Sequence, residues 1–167
     1  MRITLYDWED PIAKSYFSTI GSSLGWRDYC QFFPEHRELR EIAKLVADFI
    51  GPAPTVFLEE TEVWPSSRKH ELEKIVTDQC PELGGLTDGH VIEFEDSPRE
   101  LVVDFLHFAL GSVHALLIES QDMRRTVVST DEEFIFARAA AGDMEGQERL
   151  QALMTALKKV KAAQNGI

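Results

Sequence analysis

The sequence predicts a single layered domain over residues 1–167, of the α+β class or the closely related α/β class. It would hold one mixed β-sheet flanked by helices, with an antiparallel meander towards the C-terminus. Three observations carry this. Strand-like and helix-like hydrophobic periods alternate through the first 110 residues. Three β-rich runs then follow one another between Val113 and Ala137, separated by turns too short for a crossover helix. Finally, 167 residues that are 44% apolar, with ten Phe, suffice for one substantial core.

Residues 2–6 alternate as a short strand. Asp10-Pro11 pairs a helix cap with proline at the first helical position, and the helix should run to about Ile20, before Gly21, two serines and Gly25. The aromatic stretch Trp26–Phe33 reads either as a strand or as a packed loop. Pro34 should open a second helix, in which Leu39, Ile42, Ala43, Val46, Phe49 and Ile50 keep the 3.6-residue period until Gly51-Pro52. Thr55–Leu58 is a strand leading to acids. Ser66 or Ser67 should cap a third helix, which ends at Cys80 and turns Leu72, Ile75 and Val76 inward.

Past a glycine-rich loop, His90–Glu95 alternates as a strand, with Ile92 and Phe94 on one face and Val91 and Glu93 on the other. Ser97-Pro98 should cap a fourth helix whose body, Leu101–Leu110, is apolar nearly all round and therefore central. The meander is Val113–Ile118, Arg125–Thr130 and Glu133–Ala137, turning near Gln121-Asp122 and Thr130-Asp131. A last helix starts near Asp143, aligns Leu150, Leu153, Met154 and Leu157, and ends with lysines that suit the negative end of its dipole. The core is expected to include Leu101, Phe105, Leu106, Leu110, Leu116 and Ile118.

The charge is lopsided. Twenty-nine Asp and Glu face 17 Lys and Arg, a net −12; Arg149–Ile167 carry four bases and no acid, so the first 148 residues carry −16. Such a field repels nucleic acid and anionic membrane and attracts basic proteins. No apolar run reaches the roughly 18–20 residues of a membrane span, and the N-terminus lacks a signal-peptide pattern, so a cytoplasmic location is expected. In that setting Cys30 and Cys80 read as reduced, buried thiols, although their spacing leaves a disulfide open.

Catalytic and metal signatures do not complete themselves. His70-Glu71-Leu72-Glu73-Lys74 puts Lys74 where a zinc-binding HExxH needs its second histidine. Alternation sets His90 opposite Glu93 and Glu95; those two, with Asp96, would make either a hard-cation site or a solvated strand face. His107 and His114 read as core histidines. The chain has no GxSxG elbow, P-loop or GxGxxG, and its basic pairs Arg68-Lys69 and Arg124-Arg125 sit beside acids. The expectation is therefore no enzyme, no cofactor, no metal and no direct nucleic-acid contact.

What remains is the distribution of acids. From Glu59 to Asp104 there are thirteen acids and four bases. They gather, together with a later triplet, at predicted strand ends and turns: Glu59, Glu60 and Glu62; Glu93, Glu95 and Asp96; Asp131, Glu132 and Glu133. Trp64 follows the first group, either as an aromatic anchor or as a core staple. These ten residues are the candidate partner-binding set; the plain alternative is a solubilising surface.

Size, acidity and the late meander, Val113-His114-Ala115-Leu116-Leu117-Ile118 and Thr126 to Phe136, resemble bacterial immunity proteins of polymorphic-toxin and contact-dependent inhibition systems. The resemblance is to the whole chain and lacks a diagnostic motif, so it transfers no binding residue. It implies a stoichiometric inhibitor that occludes the active site of a basic cognate toxin, in such systems often a nuclease, in the cytoplasm. The other readings are an acidic nucleic-acid mimic acting on a defence complex, an enzyme whose site rests on Glu93 and Glu95, and a regulatory module.

Overall fold

The computed structural model describes residues 1–7, 9–31, 38–60, 69–86, 89–112, 115–130 and 134–164, with Glu60 and Gln164 described by backbone alone. Seven strands and five helices follow in the order β1 (Arg2–Leu5), α1 (Pro11–Ser23), β2 (Tyr29–Gln31), α2 (Leu39–Ile50), β3 (Thr55–Glu60), α3 (Lys69–Gln79), β4 (His90–Glu93), α4 (Arg99–Leu110), β5 (Ala115–Glu119), β6 (Arg125–Ser129), β7 (Phe134–Ala139) and α5 (Met144–Gln164). The strands form one sheet in the order β1-β4-β3-β5-β6-β7-β2.

This is an α+β domain with the expected terminal meander β5-β6-β7, but the sheet is not mixed. All its pairings are antiparallel. The early alternation suggested parallel neighbours because a crossover helix commonly returns the chain alongside its starting strand. Here β4 and β5, joined through α4, do run the same way, but β3 lies between them and pairs with both.

Alternating side chains divide between two cores. On one face Val56, Leu58, Ile92, Phe94, Leu116, Ile118, Val127 and Ile135 meet α2, α3, α4 and α5. On the other, Phe57, Val91, Leu117, Val128 and Phe136 meet α1 through Ala13 and Ile20, with Tyr6 and Trp26 packed alongside. There the Phe57 ring stacks on Tyr16 and takes Phe17 edge-on, both at 4.9 Å between centroids. The α4 reading holds for Phe105, Leu106 and Leu110, which are fully buried, whereas Leu101 is half-buried at the core margin.

Caps explain the helix ends. Asp10 Oδ1 accepts from the Ile12 N–H at 2.8 Å, as the sequence suggested. α1 then continues through Gly21 to Ser23, three residues past its expected end, because burial of Ile20 and Ser23 outweighs the local glycine cost. Ser97 does not cap α4: Pro98 holds that position, and the Ser97 hydroxyl donates to the Glu95 carbonyl at 3.5 Å. The expected openings of α2 at Pro34 and of α3 at Ser66 or Ser67, and the start of the first meander strand at Val113, lie outside the described residues. The ambiguous aromatic stretch supplies the three-residue edge strand β2, paired with β7.

One buried ion pair joins three elements. Asp143 caps α5, accepting from the Gly146 N–H at 2.9 Å, and its other oxygen meets Arg125 Nε at 3.4 Å. Arg125, at the start of β6, also donates through Nη1 to the Phe49 carbonyl in the last turn of α2 at 3.1 Å. The two side chains are 13% and 8% exposed. A Cβ at position 146 would run into the Asp143 carboxylate, so glycine is needed there.

Two stability outcomes follow from this packing. Asp143→Ala should cost about 3–5 kcal/mol, because it removes the cap and strands a buried guanidinium. Phe105→Ala should cost a similar amount, about 3–5 kcal/mol, through the cavity it leaves. Urea unfolding followed by circular dichroism measures both; midpoints close to the parent's would disprove the burial assigned to these side chains.

Candidate functional site

The face carrying α1 is the thinly covered one, and a polar row crosses it beside the helix. Strand register aligns Arg2, Glu93, Thr55, Glu119, Thr126 and Arg138 across six consecutive strands. The neighbouring row, Thr4, Val91, Phe57, Leu117, Val128 and Phe136, is mostly apolar, and α1 packs on it. The period-2 pleat therefore sets a charged row against the flank of a helix.

Charges along the row are unevenly satisfied. Arg2 Nε donates to Glu93 Oε2 at 2.5 Å, and this hydrogen bond holds the Glu93 carboxyl below the usual range. At the far end the Arg138 guanidinium lies over the Trp26 ring, 4.6 Å from its centroid, a cation–π contact. Glu119, in the middle, is half-buried, and its side chain makes no hydrogen bond or ion pair among the described residues. Burial pushes its carboxyl pKa up, against a weaker opposing pull from Arg138. Tyr16, on α1, is pushed up to about 12 by burial, then by the charge of Glu119, with Tyr6 and Glu93 adding.

Just beyond β4 the chain turns sharply, with the Ser97 N–H donating to the Phe94 carbonyl at 3.1 Å and Asp96 in the left-handed region at φ 55°. Phe94 is fully buried edge-on to Phe105, which fixes the turn and leaves Glu95 and Asp96 exposed. Neither carboxylate makes a hydrogen bond or ion pair among the described residues. Glu95 lies close enough to Arg2 to stabilise its charge.

Of the ten candidate residues, Glu93, Glu95 and Asp96 come together at this rim of the sheet. Glu59 stands near the other end of β3; since Thr55 pairs with Glu93, the two groups lie roughly 13 Å apart along the strands and form separate patches. Glu60 ends β3 opposite Ala115, after a bulge. Glu62, Trp64, Asp131, Glu132 and Glu133 lie outside the described residues. The strand expected to reach Glu95 ends at Glu93, so Glu95 belongs to the turn.

Sequence reasoning overlooked Arg2, Tyr16, Glu119 and Arg138. Glu119 left a signal: it is a charge closing the apolar run Leu116-Leu117-Ile118, on the side of the pleat shared with Leu117. The partners of Arg2 and Arg138 depend on strand order, which no local pattern encodes.

The remaining chemistry is structural. Cys30 is buried and Cys80 half-buried, both as free thiols, and burial raises the Cys30 pKa. His90 is buried on the four-helix face, away from Glu93. A groove of about 270 Å³ between α2, α4 and α5 has its charges satisfied internally, with Arg99 Nη2 on Asp48 Oδ1 at 2.6 Å and Arg149 paired with Glu145. Among the described residues no three metal-ligating side chains converge, and no helix is long and apolar enough to cross a membrane. Comparison with family models, curated proteins and solved structures finds no match.

The two carboxyls of the row should titrate in opposite senses. A raised Glu119 pKa means the folded chain keeps a proton that the unfolded chain has released, so stability falls as pH climbs from the ordinary 4.5 through the folded value. Glu93 contributes stability above 4.5 that is lost as pH falls through its lowered folded value. Glu119→Gln should flatten the first decline and leave the protein at least as stable as the parent at neutral pH. Urea midpoints across a pH series check this, and a variant clearly weaker at neutral pH would disprove it.

Proposed function

We propose that the chain is a stoichiometric inhibitor of the immunity-protein kind, which binds a basic partner protein in the cytoplasm and covers the surface through which that partner acts. The observation that carries this reading is where the unbalanced acid lies. Most bases on the described surface are already engaged: Arg2 on Glu93, Arg40 on Asp104, Lys74 on Asp78, Arg99 on Asp48. Glu95, Asp96 and Glu119 are left over at one rim, on a rigid turn and a central strand, within a net charge of −12. Carboxylates held outward on a stiff frame suit fast, steered capture of a cationic surface, and they lose little freedom on binding.

The direct test is co-expression. The protein encoded beside this chain's gene is produced alone and together with it, and growth and complex formation are followed. Restored growth and a one-to-one complex support the reading; absence of both overturns it.

Steering also predicts kinetics. Association should slow steeply with salt, as the Debye length falls from about 10 Å at 0.1 M to about 3 Å at 1 M. Reversing Glu95 and Asp96 to lysine should lower the on-rate more than reversing Glu145 and Glu148 on α5. Surface plasmon resonance across a salt series measures both, and equal effects at the two surfaces would remove the role assigned to the rim.

A further inference from the structure

Within that row Glu119 holds an unusual position. Its carboxylate is half out of water without an ion-pair partner among the described residues, although two arginines belong to the same row. Arg2 is held by Glu93 at one end, and Arg138 lies on Trp26 at the other. Between Glu93 and Glu119 the register places only the short side chain of Thr55. Two strand spacings separate the glutamates, about 10 Å between backbones, and Thr55 between them is itself only half-buried. The Tyr16 ring borders the space from α1, close enough for Glu119 and Glu93 to act on its hydroxyl.

We infer that Glu119, Thr55 and Tyr16 form a socket for an arginine side chain of the basic partner, and that this arginine anchors the complex. The inference rests on the proposed function and names its point of attachment. The row already shows the interaction once, with Arg2 seated on Glu93. A guanidinium suits the place better than an ammonium: it is flat, more weakly hydrated, and able to stack on a tyrosine while bonding a carboxylate. A metal ion does not suit it, since Glu119 and Glu93 stand two strands apart and no third ligand converges among the described residues. A half-buried unpaired charge costs stability in the free protein, and a partner's arginine would relieve that cost.

The test uses the full chain with capped hexa-arginine and hexalysine peptides, reading side-chain carboxyl, methyl and ring resonances by NMR. Binding of the arginine peptide should shift Glu119, Thr55 and Tyr16 together and bring the Glu119 titration down towards the ordinary glutamate range; among the described residues Arg138, Tyr16, Tyr6 and Glu93, with Arg2 seated on Glu93, are the other titratable groups near this space. Glu119→Gln, which loses no native ion pair, should weaken the arginine peptide about tenfold, and the parent should prefer arginine to lysine by a similar factor of about ten. Binding that leaves Glu119 unmoved, or that Glu119→Gln does not weaken, would overturn the socket while leaving the basic-partner reading intact. Equal affinity for the two peptides would overturn the assignment to arginine. Failure of both peptides to bind at low salt would overturn the socket and the proposed function together.

Discussion

Arg125 is the side chain on which the arrangement of helices over the sheet depends. It starts a central strand, yet its guanidinium reaches the last turn of α2 and the first residue before α5. Both contacts agree with the helix dipoles, a cation at a C-terminus and an anion at an N-terminus. Because the pair is buried, the loss of either member leaves a dehydrated charge, which is far costlier than losing a surface bridge. That coupling locks α2, α5 and β6 into one geometry. It also fixes the strand start from which the meander and the lower rim of the sheet follow.

The two faces divide the work. Among the described residues four helices thicken one side, where the larger core lies, whereas a single helix shields the other. A sheet face covered by one helix leaves part of its width open to solvent, and in this chain the open part carries charge. The acids there are not spread at random. They run from the β4 turn to Glu119 in the middle, while Arg138 and exposed Arg124 occupy the side towards β7.

Much of this was legible in the sequence, and the reasons differ by element. The period of α2 and α5, the Asp10 cap, the start of α5 near Asp143 and the meander are local patterns that survive folding unchanged. The antiparallel character of the whole sheet was not legible, because it turns on β3 slipping between β4 and β5, an arrangement set by long-range packing. Glu93, Glu95 and Asp96 were found through charge density alone. Glu119 was not, since one acid at the end of an apolar run looks like a strand boundary until its neighbours across the sheet are known.

The first thirty-one residues form a strap. β1 and β2 occupy opposite edges of the seven-stranded sheet, roughly 29 Å apart at ordinary strand spacing, and the thirteen residues of α1, about 20 Å long, cover most of that gap across one face. Among the described residues neither strand has a partner nearby in sequence: β1 pairs with β4, and β2 with β7. On the ribosome the earliest strands must therefore wait. β4 emerges some ninety residues into the chain and β7 near residue 134, so β1 and β2 are made long before the strands they pair with. Until then the central strands β4-β3-β5-β6-β7, contiguous in sequence with their four helices, present an apolar row that the waiting N-terminal segment comes to cover.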